Sequence, residues 1–282
     1  MSSLSEHMIL QLESVYGNLV RDISLSIRSR ELTLIVSDWG KGTEELSMLL
    51  TCEIKPKKGR IIRIIDKKQI RLIPREFISS ELKIKDILKL YEKKFGKGYE
   101  IWIKTILGDQ VSENTKINDL CEINKFKLEI LSIFFGKVSL IVAEDFLSTM
   151  DTQLREYALK MLVKVTKIKS ASLVLFNPSV IYPYVFDKIV ILFGNEIVEE
   201  STKKEFYHPY SLLLQNTKLT LGKLREKIPI KEIGDPSDHG CPYHPYCDLI
   251  NKELRKRCYT ENPKLFNVRD NKVRCWYYEN IK

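Results

Sequence analysis

No apolar run in the sequence approaches the ~20 residues that a membrane-crossing helix needs. The first ten residues carry His, Glu and Ser in place of the basic-then-apolar pattern of a secretory signal. These two absences predict a cytosolic chain whose membrane role, where it has one, runs through a partner. There is no internal repeat, which excludes a solenoid. No two cysteines form a C-x2-C pair, so an ordinary zinc ribbon or finger is not expected. The net charge of +9 favours acidic partners. Lys55, Lys57, Lys58, Arg60, Arg63, Lys67, Lys68, Arg71 and Arg75 are answered only by Asp66. No aromatic residue interrupts that run, so it does not read as a stacking platform for single-stranded nucleic acid. A solvated sheet edge is the simpler reading, since lysines on edges discourage strand-to-strand association.

With 282 residues, 44% of them hydrophobic and 29% charged, the chain has material for a large buried core and a smaller second unit. Residues 9–16 and 19–27 read as strands around a Gly17-Asn18 turn, and 31–36 as a third strand. A glycine-containing loop follows, and then 43–51 has helical spacing. Residues 59–73 read as further strand, and 82–95, 99–107 and 126–135 as helices. The apolar strand 138–143 ends on Glu144-Asp145; helix 152–167 and buried strand 172–176 come next. Segments 189–193 and 196–199 form a hairpin through Gly194-Asn195. Alternating strands and helices predict an α/β fold with a largely parallel sheet over 1–205, and a helical insertion near 78–135. From Phe206 onward Pro, Tyr, His and Cys rise and periodicity fades, which marks 206–282 as a second, irregular, Cys-rich domain.

A loop that cradles phosphate has the form GxxxxGK(S/T). Its backbone N–H groups and a helix start hold the phosphates, the Lys neutralises them and the hydroxyl holds Mg²⁺. Here the strand-to-helix turn reads Ser37-Asp38-Trp39-Gly40-Lys41-Gly42-Thr43-Glu44. Thr43 stands at the lysine position and Glu44 at the hydroxyl position, followed by Glu45. Carboxylates in the first helical turn gain about 0.3–1 kcal/mol each from the macrodipole, so both are expected to take the phosphate's electrostatic place. Lys41 precedes Gly42, in the wrong part of the loop.

The order and spacing of these segments resemble the ABC ATPase family over nearly the whole chain, and each motif departs from the family pattern. Glu144-Asp145 resembles the Asp-Glu pair that holds Mg²⁺ and polarises water, in reversed order. The stretch Phe146-Leu147-Ser148-Thr149-Met150-Asp151 resembles PTSALD and keeps its Asp. The LSGGQ clamp corresponds to Leu120-Cys121-Glu122-Ile123-Asn124, without either glycine. Arg75 replaces the nucleotide-sensing Gln and Asn177 the switch His. Tyr16 remains as an aromatic able to stack on adenine, or equally as a packed strand tyrosine. The resemblance thus implies an ABC-type nucleotide-binding domain that retains at most weak ATP/Mg²⁺ binding through Tyr16, Gly40, Lys41 and Gly42.

Phe206-Tyr207-His208-Pro209-Tyr210-Ser211 resembles the HPYT motif of oligopeptide/dipeptide importer ATPases. Gly240-Cys241-Pro242-Tyr243-His244-Pro245-Tyr246-Cys247, Glu261-Asn262-Pro263-Lys264-Leu265-Phe266 and Val273-Arg274-Cys275-Trp276 are similar to later motifs of that region. Cys241, Cys247, Cys258 and Cys275 are spaced C-x5-C-x10-C-x16-C. Four thiolates suit either Zn²⁺ or a [4Fe-4S] cluster, and the resemblance implies the cluster. His239 and His244 are substitute donors. The resemblance further implies a homologous ATPase subunit, two membrane-spanning permease subunits and a solute-binding protein as partners, on the cytoplasmic face of the membrane. A slow ATPase using Lys41 and Asp145, and a basic iron–sulfur nucleic-acid binder, are the rival readings.

Overall fold

Short apolar runs with no polar face have nothing to show water, and the chain buries them inside one sheet. The computed structural model describes residues 7–97, 100–108, 111–216 and 231–279. The first half runs β1 (Met8–Tyr16), β2 (Ile23–Arg28), β3 (Leu32–Val36), α1 (Lys41–Leu50), β4 (Lys58–Arg63), β5 (Ile70–Ile73), α2 (Ile84–Phe95), α3 (Glu100–Leu107) and α4 (Glu122–Ser132). The second half runs β6 (Leu140–Ala143), α5 (Thr152–Ile168), β7 (Ser172–Asn177), β8 (Lys188–Phe193), β9 (Glu196–Ser201), α6 (Pro209–Asn216), α7 (Lys252–Thr260), β10 (Phe266–Val268) and β11 (Asn271–Val273).

The main sheet has eight strands in the order β10-β11-β9-β8-β3-β7-β6-β5. Strands β8, β3, β7, β6 and β5 are parallel, and β9, β11 and β10 continue it antiparallel. Each strand feeds two cores by simple alternation. Leu34, Val36, Leu173 and Leu175 face the core shared with α2, α4 and α5. Ile35, Val174 and Phe176 face the opposite core, shared with α1 and a three-stranded sheet ordered β2-β1-β4. The expected α/β layout with a parallel sheet and helical insertion is therefore what the chain adopts.

Several boundaries differ from the sequence expectation. Residues 59–73 form two strands in two sheets, separated by a 3-10 turn at Lys67–Gln69 whose start is capped by Asp66 accepting the Lys68 N–H at 2.8 Å. Strand 19–27 begins only at Ile23, because Asn18, Leu19 and Val20 spend their N–H groups on a side chain and Asp22 has positive φ. Tyr99 and residues 217–230 lie outside the described residues. Beyond Phe206 the described residues join the same body: β11 pairs with β9, and Cys241 and Tyr243 belong to the larger core.

The basic run separates into two kinds of residue. β4 is an edge strand whose lysines and arginines are solvated, as expected. Arg71 is not: it is 1% exposed on β5 and stacks 3.7 Å from the Phe95 ring centroid. It donates to the carbonyls of Ser132 (3.1 Å), Lys68 (2.6 Å) and Phe135. The Ser132 carbonyl ends α4 and otherwise meets, among the described residues, only the Phe135 N–H, at 3.3 Å. Burial lowers its pKa to about 10, and it remains charged at neutral pH.

Buried His208 obeys the opposite rule. Its Nδ1 accepts the Tyr210 N–H at 3.1 Å, and burial lowers its pKa to about 3, so it folds neutral. A depressed histidine pKa means that unfolding takes up a proton once the pH drops below about 6.5.

Two outcomes follow for urea unfolding. Arg71→Leu should lower stability by about 3 kcal/mol through stranded carbonyls, against less than about 0.5 kcal/mol for Lys58→Ala. Between pH 7 and pH 5 the wild type should lose stability more steeply than His208→Gln, which has no proton to take up.

Candidate functional site

The ends of β3, β6 and β7 gather at one edge of the sheet, and the loops there carry most of the residues expected at a nucleotide site. After β3 the loop passes Trp39, which packs edge-on against Phe176 at 5.8 Å. Gly40 is the extended N-cap of α1 and supplies no side-chain cap. The helix starts at Lys41, two residues earlier than expected, and Lys41 and Glu44 point to solvent.

Thr43 is buried. Its hydroxyl donates to the Asp38 carbonyl at 2.8 Å and lies 3.0 Å from the Ser37 hydroxyl. The loop therefore closes on itself through a short side chain at the position where a phosphate loop carries a lysine. A Cβ on Gly42 would collide with the side chain of Asn195 at the tip of the β8–β9 hairpin. The first turn of α1 thus has a neighbouring side chain laid against it.

Glu45 does not face the phosphate position, contrary to expectation. It is buried and turns to the β1–β2 loop, accepting the N–H groups of Asn18 (2.5 Å), Leu19 (2.8 Å) and Val20 (3.0 Å). Burial opposes its charge, but the backbone bonds from Asn18, Val20 and Leu19 outweigh that and hold its pKa below the usual carboxylate range. Any side chain at Gly17 would strike this carboxylate. Only Glu44 is left at the mouth.

The two acids after β6 have separate tasks. Glu144 accepts the Ser47 hydroxyl at 2.9 Å and the Arg75 N–H at 3.0 Å, so it ties α1 to the segment after β5. Ser47 lies one turn beyond Glu44 and was not singled out in the sequence. Asp145 is buried and accepts the Ser148 hydroxyl at 2.6 Å. Burial pushes its pKa up, and Ser148 offsets this only in part. The Arg75 Nε is buried without a hydrogen-bond partner. Asp151 caps α5 by accepting the Leu154 N–H at 3.0 Å.

Asn177 ends β7, and its carbonyl accepts the Ser37 N–H at 3.1 Å. Its amide turns back to Ser179, bonding Oγ at 3.2 Å and the carbonyl at 2.8 Å. The segment read as the clamp sits at the start of α4, where Cys121 is an N-cap without a side-chain bond and Glu122 occupies the exposed first turn. Tyr16 lines a polar cavity of about 330 Å³ with Asp22, Glu196, Asn262 and Arg274.

Cys241, Cys258 and Cys275 are buried and Cys247 half-buried, and all are free thiols. The Cys241 N–H donates to the Cys258 carbonyl at 2.9 Å, and Gly240 has positive φ where any Cβ would strike that carbonyl. Burial raises the Cys241 thiol to about 12, and charge on Cys275, Cys247 or Cys258 would raise it further. Among the described residues, however, no three His, Cys, Asp or Glu side chains meet as ligands of one metal ion. His244 turns its Nδ1 to the Cys241 carbonyl at 2.9 Å.

Two long-range anchors, missed in the sequence, hold this region to the sheet. Glu199 on β9 accepts the N–H groups of Tyr207 (2.9 Å) and His208 (3.0 Å) and the Asn271 amide (3.0 Å). Arg274, 3% exposed, pairs with Asp22 at 3.0 Å and donates to the Ile197 (2.8 Å) and Pro263 (3.0 Å) carbonyls.

No protein-family profile and no curated protein matches the sequence. Solved structures do match the fold. An ATP-binding subunit of an ABC transporter has a TM-score of 0.59 and 15% identity, covering 69% of this chain and 90% of its own. The cbiO1 subunit from Clostridium perfringens, part of the ABC transporter complex cbiONQ, has a TM-score of 0.56 and 16% identity, covering 70% and 89%. A dimeric bacterial ABC transporter cassette has a TM-score of 0.59 and 15% identity, covering 70% and 100%. The chain has the fold of an ABC transporter ATP-binding subunit.

The role of Glu45 yields a measurable sign. A depressed carboxylate pKa stabilises above the unfolded value, about 4.3, and that stability is lost as pH falls through the folded value. Glu45→Gln should cost about 2 kcal/mol at pH 7, with the deficit shrinking below about pH 4 in urea titrations.

Proposed function

We propose that this chain is a catalytically degenerate nucleotide-binding subunit of an ABC importer for peptides or another small solute. It would act as the structural and regulatory partner of an ATPase-competent homologue, beneath two membrane-spanning subunits served by a solute-binding protein, on the cytoplasmic face. The carrying observation is the loop 37–44, where Thr43 ties the lysine position back to Asp38 and Asn195 lies against Gly42. A bound triphosphate would meet neither a lysine nor a Mg²⁺-binding hydroxyl there, and would approach Glu44.

The slow-ATPase reading is disfavoured by two observations. Asp145 is buried and bonded to Ser148, and Lys41 points to solvent from the first position of α1. No direct nucleic-acid contact is proposed, since the basic stretch divides into a solvated edge and the structural Arg71.

A groove of about 610 Å³ between the helical insertion and the sheet supports the transporter reading. It exposes Ile78 (39%) and Leu90 (50%), apolar surface of the kind that receives another protein's helix.

The C-terminal cysteines are buried or half-buried free thiols. The reading of a cluster rests on their spacing and on the resemblance of their motifs, since four thiolates suit either Zn²⁺ or a [4Fe-4S] cluster. Cys241, Cys247, Cys258 and Cys275 would hold a [4Fe-4S] cluster, which would link the segment around α7 to β11. As raised, protonated thiols they must lose protons on binding metal, so loading should be favoured at high pH.

Two measurements test the proposal. Calorimetry should find Mg-ATP binding weaker than micromolar, improved by Thr43→Lys with Glu44→Ser but without recovered hydrolysis; tight wild-type binding or brisk turnover would overturn the degenerate site. Protein purified without oxygen should be brown, with about four iron and four sulfide per chain. Stoichiometric zinc without iron would replace the cluster assignment.

A further inference from the structure

The groove between insertion and sheet contains a group that the docking reading does not explain. Its walls are apolar, from Leu72, Pro74 and Ile78 on one side and Leu90, Tyr91 and Phe95 on the other. At its floor lies Glu129 of α4, 6% exposed. The Tyr91 hydroxyl donates to Glu129 Oε2 at 3.2 Å. No ion pair to it forms among the described residues; Lys94, on the rim, is its nearest cationic influence.

A carboxylate held by one neutral phenol donor in an apolar trough is costly, and a glutamine could accept the same bond at no charge penalty. Among the described residues no ion pair uses that charge. The rim carries the opposite sign, with Lys67, Lys68 and Lys94 exceeding Asp66 and Glu53. The trough therefore has an acidic floor and a basic rim.

We infer that this groove selects a docking helix with one basic side chain at its centre, seated on Glu129, and acidic side chains towards its ends, facing Lys67, Lys68 and Lys94. This rests on the reading of the groove as a docking site for a membrane subunit and adds the chemistry that chooses the partner. The basic residue would complete the buried carboxylate, and the flanking acids would meet the rim.

The same pairing makes docking sensitive to pH. Burial raises Glu129 to about 7 in the free subunit. The ionisable groups around it are Tyr91 and Lys94 on α2, Asp66, Lys67 and Lys68 before β5, Glu53 after α1, and Arg71 behind Ser132. A seated cation draws the carboxyl pKa below its free value, so docking releases a proton and tightens as pH rises through neutrality.

The test selects binders to the immobilised full-length chain from a library of helical peptides of about 16 residues, some 24 Å long. Selection is at pH 8, and peptides that still bind Leu90→Asp are discarded so that only groove-dependent binders remain. Those should carry Lys or Arg at one central position and bind wild type about 10-fold tighter than Glu129→Gln, an advantage that shrinks at pH 6. Groove-dependent binders with no basic preference, or unchanged affinity for Glu129→Gln, would overturn the inference and leave the docking groove intact. A selection in which no binder depends on Leu90 would overturn both.

Discussion

One carboxylate fixes the geometry of the loops at the sheet's edge. Glu45 leaves the first turns of α1 and takes three successive backbone N–H groups from the loop after β1. That loop cannot extend β2 while its donors are committed, so β2 starts late and Asp22 is left in a left-handed turn. The turn brings Asp22 to Arg274, and Arg21 donates its N–H to Asn195, whose side chain lies on Gly42. A helix start, a strand turn, a hairpin tip and the segment beside Cys275 are thereby referred to one buried charge. Buried ions of this kind are strongly destabilising when one partner is removed, because the remaining charge is stranded.

The same logic recurs at Arg71 and Glu199. Each is a charged side chain surrounded chiefly by backbone groups of the opposite polarity: carbonyls for Arg71, N–H groups for Glu199. Arg71 ends α4 and binds the insertion to the sheet. Glu199 binds the segment around His208 to β9. The helical insertion and the Cys-containing region are therefore both fastened to the central sheet by polar anchors as well as by apolar contact.

These anchors mark where sequence reading succeeds and where it stops. Strands β3, β6, β7 and β8 were legible because apolar runs report burial locally, and the β8–β9 hairpin was legible from Gly194-Asn195. The loop between β3 and α1 could also be located, since it follows directly on a strand end. Glu45, Arg71 and Arg274 could not. In sequence they look like surface charges, and Arg71 sits inside a run of them; only partners 25 to 252 residues away, as in Val20 with Glu45 or Asp22 with Arg274, reveal burial. Glu45 was misassigned to the phosphate for that reason. The break in residues 59–73 was missed because Asp66 caps a turn that alternating isoleucines conceal.

The loop after β3 and the acids after β6 satisfy their own polar groups. A phosphate loop without phosphate has inward N–H groups and a helix start with no anion. Here Thr43 closes the loop onto Asp38, and Glu144 engages Ser47 and the Arg75 N–H. Each contact satisfies a polar group that would otherwise be buried alone, worth about 1–3 kcal/mol apiece. Because they are intramolecular, these bonds persist without ligand, whereas a nucleotide would have to break them before making its own.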